Sequence, residues 1–201
     1  MLLIPDSVIP CFRGNSAGRD FEQVVKDRFD DESKKGKVLI VRSGVKASVV
    51  GRNKDGTAVA RLQKSRVDFD GLLPSGRAFD FDCKVCSGSS FPLNQYREDI
   101  GIKSKTNQII YMFGRAKYRS IAGFLIHWNE RIMKTAEHPP ATYWFPVDRR
   151  IRFWRAWGSM DVNSINRRDC EIYGYRVSWT KRKLERTFRP DVLSVLKHLD
   201  G

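Results

Sequence analysis

Two short stretches of the chain alternate acidic with apolar side chains: Val67-Asp68-Phe69-Asp70-Gly71 and Phe79-Asp80-Phe81-Asp82-Cys83-Lys84. Successive side chains of a strand point to opposite faces, which puts Asp68 and Asp70 on one face of the first stretch. Asp80, Asp82 and Lys84 share one face of the second. Five ionisable groups are thus expected to converge beside Phe69, Phe79 and Phe81. Crowded carboxylates repel one another, and a cation among them relieves the repulsion. A few hard oxygen ligands suit Mg2+ or Mn2+, with water and a substrate phosphate completing the shell. Lys84, two residues after an acid, shares its face and can orient water or stabilise charge building on a phosphate. Taken alone, the alternation also fits a solvated polar face on an amphipathic hairpin.

The elements that must hold these residues read as follows. Ser16 is placed to cap a helix over 16–33, whose apolar stripe is Phe21, Val24, Val25 and Phe29, flanked by Glu22. Val38 to Val41, within 37–43, suits a strand buried on both faces. Two β-prone runs, 45–52 and 57–62, flank the turn signal Asn53-Lys54-Asp55-Gly56, and Lys46, Arg52, Arg61 and Lys64 make this a basic hairpin. The acid-bearing strands, 66–70 and 77–86, are joined through Pro74 and Gly76. Beyond them a helix is expected near 107–118 and a buried strand at 121–128. A strand at 142–145, a short helix at 147–157 and an alternating strand at 171–179 follow. A last helix opens at Pro190 with the stripe Val192, Leu193, Leu196 and Leu199.

The 201 residues carry 37 Lys and Arg against 23 Asp and Glu, a net charge of +14 and a pI near 9.9. Such an excess favours a polyanionic partner, nucleic acid first, because neutralising phosphates releases counterions. No apolar run reaches the length of a membrane span, and the expected setting is the cytoplasm, with the nucleoid or, for a phage-encoded protein, in its host. Cys11, Cys83, Cys86 and Cys170 form neither a disulfide framework nor a closed zinc site, and Cys83-Lys-Val-Cys86 lies in a strand where residues three apart face opposite sides.

An upstream helical Glu, then Asp, a gap and Asp-x-Lys is the PD-(D/E)XK nuclease arrangement. The chain resembles the RecU-type Holliday junction resolvases through Gly18-Arg19-Asp20-Phe21-Glu22, Asp68-Phe69-Asp70-Gly71, Asp80-Phe81-Asp82-Cys83-Lys84, Ser90-Phe91-Pro92-Leu93 and Asn107-Gln108-Ile109-Ile110-Tyr111-Met112. Tyr143-Trp144-Phe145, Phe153-Trp154 and Ser164-Ile165 with Arg167-Arg168 resemble its later strand, helix and tail. The resemblance spans roughly residues 13 to 170 and implies catalytic residues Glu22, Asp68, Asp82, Lys84 and Gln108. The metal would be held by Glu22, Asp68 and Asp82, with Asp70 as a compensating carboxylate. The family usually has Glu where Asp82 stands and Asn where Asp70 stands, so the metal would sit closer to the strand.

The fold implied is α/β: a mixed central sheet flanked by helices, a restriction-endonuclease-like nuclease core. It forms one domain over 1–201, with a protruding basic β-hairpin stalk at 45–66 and a C-terminal extension after residue 170. Arg19, Lys46, Arg52, Lys54, Arg61 and Lys64 would contact DNA phosphates, those of the stalk at the centre of a four-way junction. The activity implied is Mg2+- or Mn2+-dependent hydrolysis leaving a 5′-phosphate, with a homodimer nicking opposed strands symmetrically. Three alternatives stand beside it: a restriction-like or repair endonuclease on duplex or flapped DNA, a DNA-binding module with a structural acidic cluster, and an RNA-binding sheet, which would need exposed aromatics. Trp154 and Trp157, on one short helix, are candidates for a dimer surface.

Overall fold

The computed structural model describes residues 2–3, 9–41, 46–52, 58–63, 67–93, 104–133, 136–159, 161–181 and 187–201. The first half holds β1 (Leu2–Leu3), α1 (Ala17–Ser33), β2 (Leu39–Val41), β3 (Lys46–Arg52), β4 (Ala58–Gln63), β5 (Phe69–Leu72), β6 (Ala78–Cys86), β7 (Ser90–Pro92) and α2 (Ser104–Lys117). The second adds β8 (Ile121–Trp128), β9 (Arg131–Met133), β10 (Ala136–His138), β11 (Ala141–Pro146), α3 (Arg152–Gly158) and β12 (Ser164–Asn166). It closes with α4 (Arg167–Tyr173), β13 (Tyr175–Val177), β14 (Trp179–Lys181), β15 (Arg189–Pro190) and α5 (Val192–Asp200).

Six strands form a mixed sheet in the order β13-β11-β8-β6-β5-β2. All neighbours are antiparallel except β6 and β8, and a parallel pair needs a crossover, which the stretch containing α2 supplies. The period of two sorts the side chains into two apolar layers. Phe79, Phe81 and Cys83 join Phe21, Val25 and Phe29 of α1 and Val192 and Leu196 of α5 on one face. Cys86, Phe124, Ile126 and Phe145 join Ile109 and Met112 of α2 and Phe153 and Trp154 of α3 on the other. Covered on both sides, β8 is buried along its whole length.

Phe29 anchors α1, its ring 5.9, 5.7 and 5.6 Å from Phe69, Phe79 and Phe81, while Phe69 and Phe81 stack at 4.8 Å as cross-strand partners. These three aromatics are buried, so they offer no stacking platform for RNA. Gly71 permits this packing: a Cβ there would lie 2.3 Å from the Leu39 carbonyl oxygen and 2.5 Å from the Phe79 ring. The turn to β6 closes with Leu73 N–H donating to the Arg77 carbonyl, and Gly76 takes φ 83°.

Several expectations need correction. Ser16 does not cap α1 with its side chain; its Oγ donates instead to Asp20 Oδ2 at 2.7 Å. The strand after α1 is an edge strand and is not buried on both faces: Val38 is buried but Leu39 is 56% exposed. The helix expected over 147–157 begins only at Arg152, after Ile151 in extended conformation. The stretch 171–179 is not one strand. An Asn166–Asp169 capping box starts α4, and β13 and β14 follow. Pro190 pairs in β15 with Trp179, and α5 starts after Asp191. Trp154 and Trp157 are buried in the core, where Trp154 Nε1 donates to the Pro146 carbonyl at 2.6 Å, so they present no dimer surface. Cys83 and Cys86 fall in opposite layers, and all four cysteines are free thiols.

The C-terminal part is built into the core. Trp179 and Val192 are buried there, and β14 pairs with β1 and β15. Arg28 of α1, itself buried, faces Glu32 at 3.5 Å, Asp191 at 3.8 Å and Thr180 Oγ1 at 3.4 Å. Arg77 crosses from the start of β6 and donates through Nη1 to the Leu199 carbonyl at 2.6 Å, at the end of α5, where carbonyls lack helical partners.

Candidate active site

Asp68 lies where the β5–β6 ladder stops, one residue before the Phe69–Phe81 pair. Its Oδ2 accepts the Cys83 backbone N–H at 2.8 Å, so a carboxylate replaces a strand carbonyl at that rung. Asp82 stands across from it, completely buried, with the Lys84 ammonium on its Oδ2. Burial pushes the Asp82 carboxyl from 3.8 up to about 7, opposed by Lys84 and reinforced by the charge of Asp68. Burial alone would lower the Lys84 ammonium, but Asp82 and Asp68 outweigh it and hold it above its usual value.

Gln108, on the first half of α2, donates through Nε2 to Asp82 Oδ1 over a long 3.5 Å, and its Oε1 is buried without a hydrogen bond. Glu22, half-buried on α1, adds its charge to those of Asp68 and Asp82 around the Cys83 thiol. That thiol is raised well above its ordinary value, by burial first and by these acids next, so it stays protonated and unreactive. The structure therefore brings Asp68, Asp82, Lys84 and Gln108 together, with Glu22 at their margin.

The five-group cluster expected from alternation is divided in two. Asp80 is fully buried and satisfied by donors from outside its strand: Ser120 Oγ at 2.5 Å, Arg115 Nε at 2.8 Å and Tyr111 Oη at 3.2 Å. Asp70 is the Cα partner of Asp80, and its charge falls on Tyr111 and Arg115. The functional weight of Tyr111 and Arg115 escaped the pairwise reading of the strands. The signal was present, since 108, 111 and 115 recur at helical spacing and present one face of α2 to the alternate residues of β6.

Of the expected DNA-contacting residues, Arg19 is exposed in the first turn of α1. Lys46 and Arg52 lie on β3 and Arg61 on β4, which pair antiparallel with a register shift between Val49 and Gly51. Lys54, Lys64 and the turn 53–56 fall outside the described residues.

The donor set fits a small divalent cation. Two carboxylates face each other, burial works against the charge of Asp82, and Gln108 adds a buried carbonyl oxygen without a donor. Among the described residues no group of three or more His, Cys, Asp and Glu side chains forms a cage. Asp68 and Asp82 suit a Mg2+-like ion that keeps water and takes substrate oxygens. Compared with known proteins, the chain matches no family model and no curated sequence. The fold and this cluster together define an α/β protein with a paired-carboxylate and lysine site. Among the described residues no helix is long and apolar enough to cross a membrane.

Proposed function

We propose that the chain is a metal-dependent endodeoxyribonuclease of the PD-(D/E)XK type, and that its substrate is branched DNA, a four-way junction cut symmetrically by a homodimer. The observation that carries this reading is the juxtaposition of Asp68 and Asp82 with the Lys84 ammonium on Asp82, at the mouth of the β5–β6 ladder. The resemblance to RecU-type resolvases supports the substrate, and so do the basic residues of the β3–β4 pair and the net charge of +14.

Mg2+ or Mn2+, held by Asp68 and Asp82 with Glu22 at the margin, would polarise a phosphodiester and lower the pKa of water. The protein's own groups have separate tasks. The Cys83 N–H pins Asp68 through Oδ2 and holds its carboxylate beside Asp82. Lys84, kept charged by both acids, is placed to stabilise charge growing on a phosphate oxygen. Gln108 Oε1 can accept a hydrogen bond from an attacking water and orient it.

The test is cleavage of a labelled four-way junction beside linear duplex of the same sequence, with Mg2+, Mn2+ or EDTA, for wild type and Asp82→Asn. Paired symmetric nicks confined to the junction, abolished by EDTA and by the substitution, are expected. Binding of the junction without cutting under every condition overturns the enzyme reading. Equal cutting of linear duplex retains the chemistry and overturns the junction as substrate.

A further inference from the structure

Between β11 and the end of α3 the chain places four arginines, Arg149, Arg150, Arg152 and Arg155, against one aspartate, Asp148. Of the four, only Arg150 has a carboxylate partner among the described residues: its guanidinium donates to Asp148 Oδ2 at 2.6 and 2.8 Å. Arg149 lies over the ring of Phe113, its guanidinium carbon 5.1 Å from the centroid, and is exposed. Arg152 and Arg155 are exposed and have no carboxylate partner among the described residues. Arg152 and Arg155, three apart on α3, share its outward face, and Arg149 is exposed in the turn before the helix, while Phe153, Trp154 and Trp157 turn into the core; these exposed arginines make up the ridge.

Folding alone does not favour this arrangement. Like charges three apart repel, and α3 carries no acid in its first turn, where arginine opposes the helix dipole. A polyanion lying on the ridge removes both penalties. Its location matches the candidate site. Phe153, Trp154, Trp157 and Phe113 belong to the same apolar layer as Ile109 of α2, on the face that receives Gln108. The chain leaves β11 with the Val147 N–H on the Ala122 carbonyl, and Ala122 is the Cα partner of Asp80 in β6. The ridge therefore starts two strand spacings, roughly 10 Å, from β6 and on the same side as Asp82.

We infer that the ridge Arg149–Arg152–Arg155 is a binding surface for the sugar-phosphate backbone of a DNA duplex arm leading into the site. A surface of this kind reads no sequence, because contacts to phosphates position the duplex and carry no base information. The inference rests on the DNA-acting reading of the chain, but it needs no catalysis.

Anisotropy titration of labelled four-way junction and linear duplex in EDTA, across a NaCl series, tests it. Each phosphate contact contributes about 0.9 to the slope of log affinity against log salt concentration. Arg152→Gln combined with Arg155→Gln is expected to flatten the slope by up to about 2 on both DNAs, with an unchanged thermal midpoint. Lys34→Gln with Lys35→Gln removes the same charge from the exposed end of α1 and is expected to change the slope far less. A ridge variant that binds like wild type, or no worse than the lysine variant, overturns the ridge even if wild type cuts junctions. Wild type that binds but never cuts, with the ridge variant weakened, overturns the nuclease and retains the ridge. Absence of any DNA binding by wild type overturns both.

Discussion

At the scale of single residues, Asp80 and Asp82 show how one face of one strand can carry two roles. They are two positions apart on the same face, equally buried, and chemically opposite. Asp80 accepts from three donors, whereas Asp82, among the described residues, meets a lysine and a long amide contact while facing a second acid. On the proposed nuclease reading, Lys84 is the residue that would separate a catalytic site from a structural acidic cluster. Lys84→Ala is expected to lower junction cutting about 10²- to 10³-fold, the usual loss for a positioned electrostatic group, while junction affinity in EDTA stays within a few-fold. Single-turnover cleavage rates beside anisotropy titrations check this, and unchanged rates would reassign the cluster to structure.

At the scale of elements, helix α2 is what converts a strand pattern into a site. It lays Gln108 over Asp82 and ties itself to the sheet by Tyr111 and Arg115 on Asp80. Removing Asp80 takes the acceptor of the buried Ser120 hydroxyl and one partner of Tyr111, and opens a cavity beneath the helix. Asp80→Ala is therefore expected to cost about 3 kcal/mol, measured by urea unfolding. Cutting should also fall, because Gln108 loses its support. Arg115 is part-exposed, so its guanidinium can turn to water and keeps the loss below that of a wholly buried ion pair. Tyr111→Phe, which removes one of the three donors, should cost about 1 kcal/mol on the same assay.

At the scale of the whole molecule, parts distant in sequence are joined through buried polar groups. His127 on β8 lies among the rings of Phe12, Phe21 and Trp179 at 5.0, 5.2 and 5.8 Å. Trp179 Nε1 donates to Thr142 Oγ1 at 2.9 Å, which lets that hydroxyl donate to His127 Nδ1, also at 2.9 Å. Burial pushes the imidazole down from 6.5 to about 4, so the folded protein holds it neutral. The unfolded chain binds the proton first as pH falls. This group's stabilisation is thus complete above pH 6.5, is lost between 6.5 and about 4, and is level below that. The loss amounts to about 3 kcal/mol, and His127→Gln should flatten the dependence of the urea midpoint on pH across that window. A chain ending at Gly174 loses Trp179, Val192 and Leu196 from the α1 layer and the partners Thr180 and Asp191 of buried Arg28. It is expected to show no cooperative thermal transition, which calorimetry would detect.

Local patterns carry as far as local physics reaches. Apolar periodicity located α1, α2, β6 and β8 closely, because a helix stripe and a strand alternation are properties of neighbours along the chain. The same alternation put Asp82 and Lys84 on one face, whereas Asp68, expected inside a strand over 66–70, lies just before β5, whose ladder begins at Phe69. What lay beyond such patterns was decided by pairing and packing. Which strand took the sheet edge was one case: among the described residues β2 ends the sheet, and Leu39 on it is exposed. Residues 171–179 kept their apolar content but divided into α4, β13 and β14, since an Asn166–Asp169 cap satisfied helix donors that no strand partner claimed. The division of five ionisable groups into a satisfied Asp80 and a charged Asp68–Asp82–Lys84 centre depended on donors that arrive from α2 and Ser120. Hydrogen-bond satisfaction is a property of three-dimensional neighbours, and residue spacing along one strand does not contain it.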